Sequence, residues 1–366
     1  MEPSLYAARR ETLRSLLAAA ELDALLVTGP ENRRYLSGFS SDDPHWGALL
    51  ITRGRQFLLT DFRYYGWAQQ EAAGVETLLY RESLAATLAE LVKEQGLRRL
   101  GCESAHLTLS QHQRLLTAVS AAGWQAEWRP QEDLVESLRE VKDAQEVAAM
   151  TRALELTEAV LVQVSQELAP GRTERQVAWE IEKRLREQGA QLAFPPIVAA
   201  GANGAIPHHR PGDYRLKEGE PIIMDLGARV DGYCADLTRT LVLGEPDEHF
   251  RRLYSLVRAA QARAQEGLKA GLDSVAADAL ARDFIAGAGY GEAFGHSLGH
   301  GVGLAVHEAP ALSPVQERRR VLKAGSVVTV EPGIYLTGWG GVRLENMALI
   351  TPEGARVLTK CGYYEW

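Results

Sequence analysis

The first part of the chain alternates between amphipathic helical segments and short apolar strands. Leucines recur at helical spacing over residues 4–20, and the apolar run at 23–28 predicts a buried strand. Two further apolar runs, at 47–52 and 56–60, flank a short turn and predict a hairpin. Helical patterns follow near 63–73, 83–95 and 109–121, separated by strands near 75–80 and 98–103. This alternation predicts an α/β domain over residues 1–129.

A long, charged amphipathic pattern over residues 133–168 opens the second part of the chain. It predicts a helix that either connects two domains or begins the second one. Thr173 and Gln176 then have the spacing of a capping box, which predicts another helix through about Gln188. A strand-rich segment begins at Phe194, helices follow near 247–269 and 273–288, and short strands with many glycines fill 292–366. The second predicted domain therefore spans residues 130–366 and mixes helices with strands.

The strongest hairpin signal lies at residues 221–240, where two apolar runs meet at Asp231-Gly232. With these two residues in the turn, Asp225 lies opposite Thr238 and Asp236 lies opposite Gly227. Side chains alternate between the faces of a strand, so the two aspartates share a face as diagonal neighbours, about 7–8 Å apart at the backbone. We expect Gly227 to leave open space between two carboxylates that repel each other unless a proton or cation intervenes. Two solvated aspartates on an ordinary hairpin are the alternative.

Three later segments add further polar groups to the second domain. His300 lies in a glycine-rich stretch, Glu331 ends an apolar strand before a proline, and Glu345 shares a strand face with Arg343. Each feature alone is common in ordinary structure. Together with the two aspartates they amount to four carboxylates and one imidazole, a donor set that suits Mn²⁺, Co²⁺ or Zn²⁺ and not a thiolate site. Two ions about 3.5–4 Å apart that share carboxylates activate water and polarise a carbonyl, so the pattern predicts hydrolysis.

Composition excludes several other classes of function. The chain has 366 residues, 46% hydrophobic and 24% charged, as expected of a globular protein with two domains. A formal net charge of −8 argues against nucleic-acid binding, and no apolar run has membrane-spanning length. The N-terminus does not have the pattern of a signal peptide, and Cys102, Cys234 and Cys361 form no CxxC motif. We therefore expect a soluble cytoplasmic protein.

Several short motifs match one known family. They are Met-Asp-Leu-Gly at 224–227, Ala-Asp-Leu-Thr-Arg-Thr at 235–240, Gly-His-Gly-Val-Gly-Leu at 299–304, Val-Glu-Pro-Gly-Ile-Tyr at 330–335 and Val-Arg-Leu-Glu-Asn at 342–346. In this order they resemble the pita-bread metallopeptidases, which comprise methionine aminopeptidase, Xaa-Pro aminopeptidase (aminopeptidase P) and Xaa-Pro dipeptidase (prolidase). The resemblance implies an α+β catalytic domain, in which helices cover a curved antiparallel sheet. The segments 33–39 and 59–64 resemble the smaller α/β creatinase/prolidase-like N-terminal domain, which places the proline-specific members ahead of methionine aminopeptidase.

The resemblance also implies a set of metal ligands and an activity. Two divalent ions per subunit, Mn²⁺ first and Co²⁺ or Zn²⁺ as alternatives, would be held by five side chains: Asp225, Asp236, His300, Glu331 and Glu345. A hydroxide that bridges the ions would attack the carbonyl of an Xaa-Pro peptide bond, and Glu331 would move the proton of the water. We expect an Xaa-Pro dipeptidase, with an Xaa-Pro aminopeptidase acting on longer peptides as the alternative.

Three further histidines and an arginine are similar to family positions around the substrate. His208 and His307 resemble the pair that contacts the scissile carbonyl or the tetrahedral intermediate, and both are counted as catalytic. His296 resembles a histidine on the substrate side. Arg343 resembles the arginine that braces the metal-binding carboxylates, and it is grouped with His296 among the residues that face substrate. His209 follows His208 where the family has other residues, so either imidazole can be the one that faces substrate, and His208 is preferred.

The N-terminal domain contributes one expectation about specificity. Asp42 and Asp43 lie in a loop that departs from the small, glycine-rich loop of an aminopeptidase. We expect this loop to reach a cleft, that of a neighbouring subunit in a homodimer, and to bind the free ammonium of a dipeptide or a short peptide with proline second. A solvated acidic turn is the alternative. Creatinase-like amidinohydrolases and metal-free binding modules share the fold but lack the metal ligands, which argues against both.

Overall fold

The computed structural model describes residues 2–41, 43 and 47–366. The chain divides into two units, Met1–Arg139 and Glu140–Trp366. The sequence was divided after Arg129, but a strand runs through that position and pairs with the sheet of the first unit. No helix within the described residues is long and apolar enough to span a membrane. All three cysteines are free thiols.

The N-terminal unit is built on one mixed sheet. Its helices are α1 (Pro3–Ala19), α2 (Pro30–Ser37), α3 (Phe62–Glu71), α4 (Leu84–Glu94), α5 (Leu109–Ala121) and α6 (Glu136–Arg139). Its strands are β1 (Ala24–Val27), β2 (Ala48–Thr52), β3 (Gln56–Thr60), β4 (Glu76–Leu79), β5 (Arg99–Glu103) and β6 (Glu127–Gln131). The strand order is β4-β3-β2-β1-β5-β6. The predicted hairpin is β2–β3, and the predicted α/β architecture is confirmed.

Helix α2 was not predicted from the sequence. Gly29-Pro30 follows β1, and Pro30 also occupies the first turn of the helix. Proline is well tolerated there because its fixed φ suits the helix and its missing N–H has no helical partner to lose. One dipeptide therefore ends a strand and begins a helix.

The C-terminal unit contains the remaining elements. Its helices are α7 (Ala144–Gln166), α8 (Glu174–Glu187), α9 (Glu248–Gly267) and α10 (Ser274–Gly287). Its strands are β7 (Gln191–Leu192), β8 (Ile197–Ala200), β9 (Pro221–Leu226), β10 (Ala228–Val230), β11 (Tyr233–Cys234), β12 (Leu237–Val242), β13 (Gly299–Gly301), β14 (Glu308–Leu312), β15 (Val327–Val330), β16 (Gly333–Leu336), β17 (Gly340–Arg343), β18 (Asn346–Ile350) and β19 (Ala355–Val357).

The named strands of this unit pair in antiparallel fashion. The largest sheet has the order β14-β13-β15-β18-β19, and a second sheet has the order β12-β9-β8. Helices α9 and α10 cover strands with apolar faces, and their side chains share one buried cluster with β15, β17 and β18. Burial of these apolar surfaces is the main stabilising contribution to the unit. The α+β architecture that the resemblance implies is confirmed.

The predicted helix over residues 133–168 is wrong in one respect. The segment forms two helices, α6 and α7, separated by residues 140–143. Asp143 begins α7 because its side chain accepts hydrogen bonds from the backbone N–H groups of Gln145 and Glu146. In contrast, the capping box predicted at Thr173 and Gln176 is present at the start of α8.

The register of the central hairpin is as predicted. Val230 lies opposite Tyr233, and Asp225 lies opposite Thr238. The expectation that Gly227 leaves open space is wrong. A Cβ atom on Gly227 would lie 2.1 Å from the carbonyl oxygen of Ala235 and 2.8 Å from the ring of Phe194. Glycine is needed there because another part of the chain comes so close to its backbone.

Candidate metal centre

The five predicted metal ligands lie on different strands that meet at one cavity. Two of them lie within β9 and β13, and the other three lie directly beside an end of β12, β15 or β18. All five line a cavity of about 870 Å³: Asp225, Asp236, His300, Glu331 and Glu345. Ligand atoms of Asp236, His300 and Glu345 lie within 4.8 Å of one another. Asp225 and Asp236 come from the β12-β9-β8 sheet, and the other three from the β14-β13-β15-β18-β19 sheet, so the site brings together residues of two sheets.

Hydrogen bonds orient two of the carboxylates. Thr238 Oγ1 donates to Glu345 Oε2 at 2.7 Å, and Arg343 Nη2 donates to Asp225 Oδ2 at 2.6 Å. Arg343 also donates from Nε to Thr238 Oγ1 at 3.1 Å, so the arginine and the threonine form one connected brace. Thr238, which lies opposite Asp225 in the hairpin, thus orients the carboxylate of Glu345.

His300 is oriented as a ligand through its Nε2 atom. Its Nδ1 atom lies 3.1 Å from the carbonyl oxygen of Gly301, which can only accept, so Nδ1 carries a proton. Nε2 faces the carboxylates of Asp236 and Glu331 at 3.6 and 3.3 Å. A histidine whose distal N–H is fixed by a carbonyl in this way presents the other nitrogen to a cation.

The charge balance of the cluster favours a bound cation. Burial, followed by repulsion from neighbouring carboxylates, raises the pKa of Asp236 and of Glu345 well above their usual values, and burial also raises the pKa of Asp225 despite Arg343. Within the described part of the chain, Asp225 Oδ1 and Glu345 Oε1 are buried without a hydrogen-bond partner. Buried acceptors of this kind are costly unless a cation or a proton satisfies them. The donor set therefore fits divalent metal.

Glu331 differs from the other carboxylates. Burial alone would raise its pKa, but the hydrogen bond to His300 together with the charges of His300, His296 and Arg343 outweighs burial and lowers the pKa to about 2. The hydroxyl of Thr329 also donates to Glu331 Oε1 at 3.2 Å. Glu331 is thus the member of the set that most readily stays ionised beside the imidazole.

The three other predicted histidines line the same cavity. The rings of His300 and His307 lie 4.1 Å apart, and His208 is close enough for its charge to affect the pKa of His307. Desolvation lowers the pKa of His307 to about 4 and also lowers that of His296. At neutral pH both imidazoles are therefore uncharged.

His296 belongs to a chain of hydrogen bonds that the sequence did not reveal. Its Nδ1 faces the carbonyl of Ser297 at 2.8 Å and must donate, so its Nε2 accepts from the hydroxyl of Tyr335, also at 2.8 Å. Tyr335 in turn accepts from Arg343 Nη1 at 3.0 Å. The sequence signal for Tyr335 is its place at the end of the motif Val-Glu-Pro-Gly-Ile-Tyr, four residues after Glu331.

His208 and His209 have different surroundings. Both line the cavity, but His208 is exposed, whereas His209 is half-buried and its Nε2 lies 2.8 Å from the fully buried carboxylate of Glu174. Glu174 was missed in the sequence because a glutamate in the first turn of a helix is ordinarily explained by the helix dipole. The same limitation applies to the buried ion pair of Lys142 Nζ and Glu308 Oε1, at 2.7 Å.

The roles of the two acidic residues of the N-terminal domain stay a prediction. Asp42 lies outside the described residues. Asp43 lies in the N-terminal unit, where its backbone carbonyl accepts a hydrogen bond from Arg33 at 2.8 Å and its carboxylate accepts one from the hydroxyl of Tyr64 at 3.4 Å.

Comparison with known proteins agrees with this geometry. Residues 148–352 match the model of metallopeptidase family M24, and residues 9–141 match that of the creatinase/prolidase N-terminal domain. The structure is similar to an Xaa-Pro dipeptidase from Bacillus anthracis, with a TM-score of 0.92 and 39% identity over 98% of this chain and 99% of that one. It is also similar to an X-Pro aminopeptidase from Thermotoga maritima, with a TM-score of 0.85 and 35% identity over 94% and 97% of the two chains.

A curated relative extends the same similarity in sequence. The Xaa-Pro dipeptidase of Pyrococcus furiosus is 35% identical over 355 residues, which are 96% of this chain and 97% of that protein. With a family match over more than half of its length, the chain belongs to metallopeptidase family M24. It is a metallopeptidase with an N-terminal creatinase/prolidase domain.

Proposed function

We propose that this protein is an Xaa-Pro dipeptidase. The observation that carries the proposal is the buried carboxylate cluster with His300, set in a cavity whose wall holds His208, His296 and His307. Relatives named Xaa-Pro dipeptidase that match nearly the whole chain support the substrate class. A bound pair of divalent ions would supply the activation of water and the polarisation of the scissile carbonyl.

The residues of the chain have separate parts in the proposed reaction. Glu331 receives the proton of the attacking water, for which an ionised carboxylate beside His300 is suited. His208 and His307 donate hydrogen bonds to the oxygen on which charge develops. An uncharged imidazole can do this without an unfavourable charge near the cations, and desolvation keeps His307 in that form.

Arg343 has a positioning part. Its guanidinium is almost fully buried and bonds Asp225, Thr238 and Tyr335. These bonds fix the direction of the Asp225 carboxylate and, through Tyr335, of His296. Arg343 therefore aligns both the metal ligands and the substrate side of the cavity, which is its proposed contribution to substrate binding.

Charges at the cavity wall support a dipeptide in preference to a longer peptide. Arg210, Arg318 and Arg320 line the cavity, together with the carboxylates of Glu308 and Glu317. A dipeptide carries its C-terminal carboxylate close to the scissile bond, where a longer peptide has only a neutral amide. Arginine is well suited to bind a carboxylate because its planar fork can donate two parallel hydrogen bonds.

A substrate-length series tests the proposal. The purified protein is loaded with Mn²⁺, Co²⁺ or Zn²⁺, and hydrolysis of Xaa-Pro, Xaa-Pro-Yaa and Xaa-Pro-Yaa-Zaa peptides is compared with that of matched Xaa-Ala peptides. We expect Xaa-Pro dipeptides to have the highest kcat/KM. Preferred hydrolysis of the longer peptides would establish the alternative, an Xaa-Pro aminopeptidase, which the similarity to the Thermotoga maritima protein supports. No hydrolysis with any metal would refute both.

The acidic loop of the N-terminal domain is a second element of the proposed specificity. Asp42 and Asp43 would bind the substrate ammonium and thereby close one end of the site to longer peptides. The test replaces both residues by alanine and compares Xaa-Pro with Xaa-Pro-Yaa-Zaa hydrolysis. An unchanged preference for length would contradict this part of the proposal without affecting the dipeptidase assignment.

We also propose two divalent ions per subunit, with Mn²⁺ as the first candidate, a homodimer and a cytoplasmic location. Four carboxylates exceed what one ion needs, which supports two ions. The dimer is inferred from the family resemblance, and the location from composition. Elemental analysis after metal loading, light scattering and cell fractionation test the three statements. Absence of metal uptake would instead favour the creatinase-like or metal-free alternatives.

A further inference from the structure

The loop at residues 207–212 is attached to the protein on both sides of its two histidines. On one side, the carbonyl of Pro207 lies 3.4 Å from Arg343 Nη1. On the other side, His209 Nε2 and the backbone N–H of Gly212 bond one oxygen of Glu174, at 2.8 and 3.0 Å. Within residues 2–41, 43 and 47–366, the imidazole of His208 has no hydrogen-bond partner, and it is exposed at the cavity.

Glu174 is an unusual residue for the first position of a surface helix. Its side chain is fully buried, and each of its oxygens accepts two hydrogen bonds. Oε1 binds the N–H of Ala200 and the amide of Asn203, both at 2.9 Å, while Oε2 binds His209 and Gly212. One carboxylate thus joins the end of β8 to the histidine loop.

The backbone of α8 reinforces this connection. The N–H of Glu174 donates to the carbonyl of Tyr214 at 3.0 Å, and the N–H of Arg175 donates to that of Gly212 at 3.0 Å. These are N–H groups that have no partner within a helix. The loop after His209 is therefore fixed to the start of α8 by both backbone and side chain.

We propose that Glu174 is a positioning residue: it binds His209 and Gly212 so that the neighbouring His208 imidazole is directed into the cavity. The inference rests on the hydrolysis proposed above. It favours His208 over His209 as the histidine that faces substrate, because the Nε2 of His209 already donates to Glu174. The position of His208 follows from its two anchored neighbours, Pro207 and His209.

The carboxylate is required for this arrangement because it offers acceptors only. All four groups around Glu174 are hydrogen-bond donors. The amide nitrogen of a glutamine is also a donor, so it would face at least one group from which it cannot accept a hydrogen bond. Glu174→Gln therefore keeps the size of the side chain but loses hydrogen bonds on one of its two sides. His209→Gln, by contrast, keeps a donor that can reach Glu174, whereas His209→Ala does not.

Kinetics of these variants provide the first test. For metal-loaded enzyme on Xaa-Pro dipeptides, we expect Glu174→Gln and His209→Ala each to lower kcat by roughly 10- to 100-fold, the order expected when a reacting group is displaced by about 1 Å. We expect KM to change little, His209→Gln to retain most of the activity, and the double variant Glu174→Gln/His209→Ala to be no worse than either single variant. A wild-type kcat for Glu174→Gln, or equal losses for His209→Gln and His209→Ala, would overturn the proposal.

A matched control separates positioning from general loss of stability. Glu146 is also a buried glutamate in the first turn of a helix, where it bonds the N–H of Asp143 and the hydroxyl of Tyr233. Glu146→Gln should lower the free energy of unfolding without lowering kcat as Glu174→Gln does. An equal loss of kcat in the control would overturn the proposal.

Chemical modification tests the same inference without a measurement of activity. Diethyl pyrocarbonate carbethoxylates accessible imidazoles, and fragment masses of the peptide that contains both histidines locate the label. We expect His208 to react faster than His209 in the wild type, and Glu174→Gln to accelerate the labelling of His209. Equal rates in the wild type, or no acceleration, would overturn the proposal. A wild-type protein that hydrolyses no Xaa-Pro peptide would refute the proposed function, while the labelling would still decide the role of Glu174.

Discussion

Lys142 Nζ lies 2.7 Å from Glu308 Oε1, and both side chains are almost completely buried. Lys142 precedes α7 and Glu308 begins β14, so the pair joins the entry of the C-terminal unit to the residue that follows His307. We expect Lys142→Met to lower the free energy of unfolding by about 3–5 kcal/mol, because it removes the buried cation of this ion pair and leaves the negative charge of Glu308 buried. Urea denaturation measures the change.

A double variant identifies the cause of that loss. Lys142→Met/Glu308→Gln removes both charges, so it should recover much of the stability that the single variant loses. We also expect Lys142→Met to lower kcat, since His307 is covalently adjacent to Glu308. If the single variant denatured at the same urea concentration as the wild type, the pair would have no stabilising role.

Asp236→Asn tests the metal centre. We expect this variant to fold normally but to lose metal uptake and peptidase activity, since a neutral amide replaces one of the carboxylates that face His300. Added metal should raise the thermal midpoint of the wild type and not that of the variant, because a ligand that binds only the native state stabilises it. Circular dichroism, elemental analysis and thermal scans measure these properties.

The matched control for this variant lies on the same hairpin. Asp231 is exposed, has a φ of 51°, and pairs with Arg152 at 2.7 Å. Asn tolerates a left-handed conformation, and an exposed ion pair contributes little, so Asp231→Asn should leave metal uptake unchanged. Full activity of Asp236→Asn would contradict the assignment of the metal ligands.

Adjacent arginines test the recognition of the dipeptide carboxylate. Arg318 lines the cavity, whereas Arg319 forms an ion pair with Asp273 at the start of α10. Arg318→Ala should raise KM for Xaa-Pro dipeptides by roughly tenfold, the loss expected for one charge-assisted hydrogen bond. It should affect Xaa-Pro-Yaa-Zaa much less, and Arg319→Ala should change neither KM. If Arg318→Ala and the wild type had the same KM for the dipeptide, Arg318 would not bind the substrate carboxylate, and the cavity-wall charges would no longer support a dipeptidase.

A partly buried network in the N-terminal unit predicts a pH-dependent stability. Glu136 lies 3.4 Å from His106 and accepts from Asn32 at 2.6 Å, with Glu103 and Arg139 in the same network. Burial opposes ionisation of Glu136, but the hydrogen bonds from His106 and Asn32 outweigh it and lower its pKa to about 2. Hydrogen bonding to Glu136 raises the pKa of His106 despite partial burial.

The signs of these two shifts define where the pair stabilises the fold. The contribution of Glu136 is present above its ordinary pKa of 4.5 and is lost as the pH falls towards 2. That of His106 is present below its ordinary pKa of 6.5 and is lost as the pH rises through the raised value. Glu136→Gln should therefore destabilise the protein more at pH 5.5 than at pH 3, as measured by urea denaturation. The exposed Glu132→Gln is the control, and an equal effect of Glu136→Gln at both pH values would be evidence against the assigned pair.

The features of the site that could be predicted are those set by residues close together in the sequence. The register that places Asp225 opposite Thr238 follows from a two-residue turn and the alternation of side chains, both of which are visible in the sequence. Local patterns also predicted the helix caps at Thr173 and Gln176. Gly227 shows the limit of this reasoning, because its surroundings depend on the local bend that brings the carbonyl of Ala235 close and on Phe194 from a separate segment.

The unpredicted part depends on contacts between distant segments. Glu174 is a positioning residue only because residues 200, 209 and 212 converge on it in the folded chain. Lys142 and Glu308 are 166 residues apart. The periodic pattern of polar and apolar residues does not reveal such pairs, because each partner alone resembles an ordinary polar residue near the end of a helix or strand.

Several hydrogen-bond partners of Arg239 are synthesised long after Arg239 itself. This buried arginine donates to the carbonyls of Glu345, Cys361 and Gly362. The last two leave the ribosome after every one of the five proposed metal ligands, and about a third of the chain after Arg239 itself. A nascent chain can therefore contain all five proposed ligands before Arg239 can bond the carbonyls of residues 361 and 362. The bonds from Arg239 to residues 361 and 362 therefore form only after the last of the five proposed ligands has been synthesised.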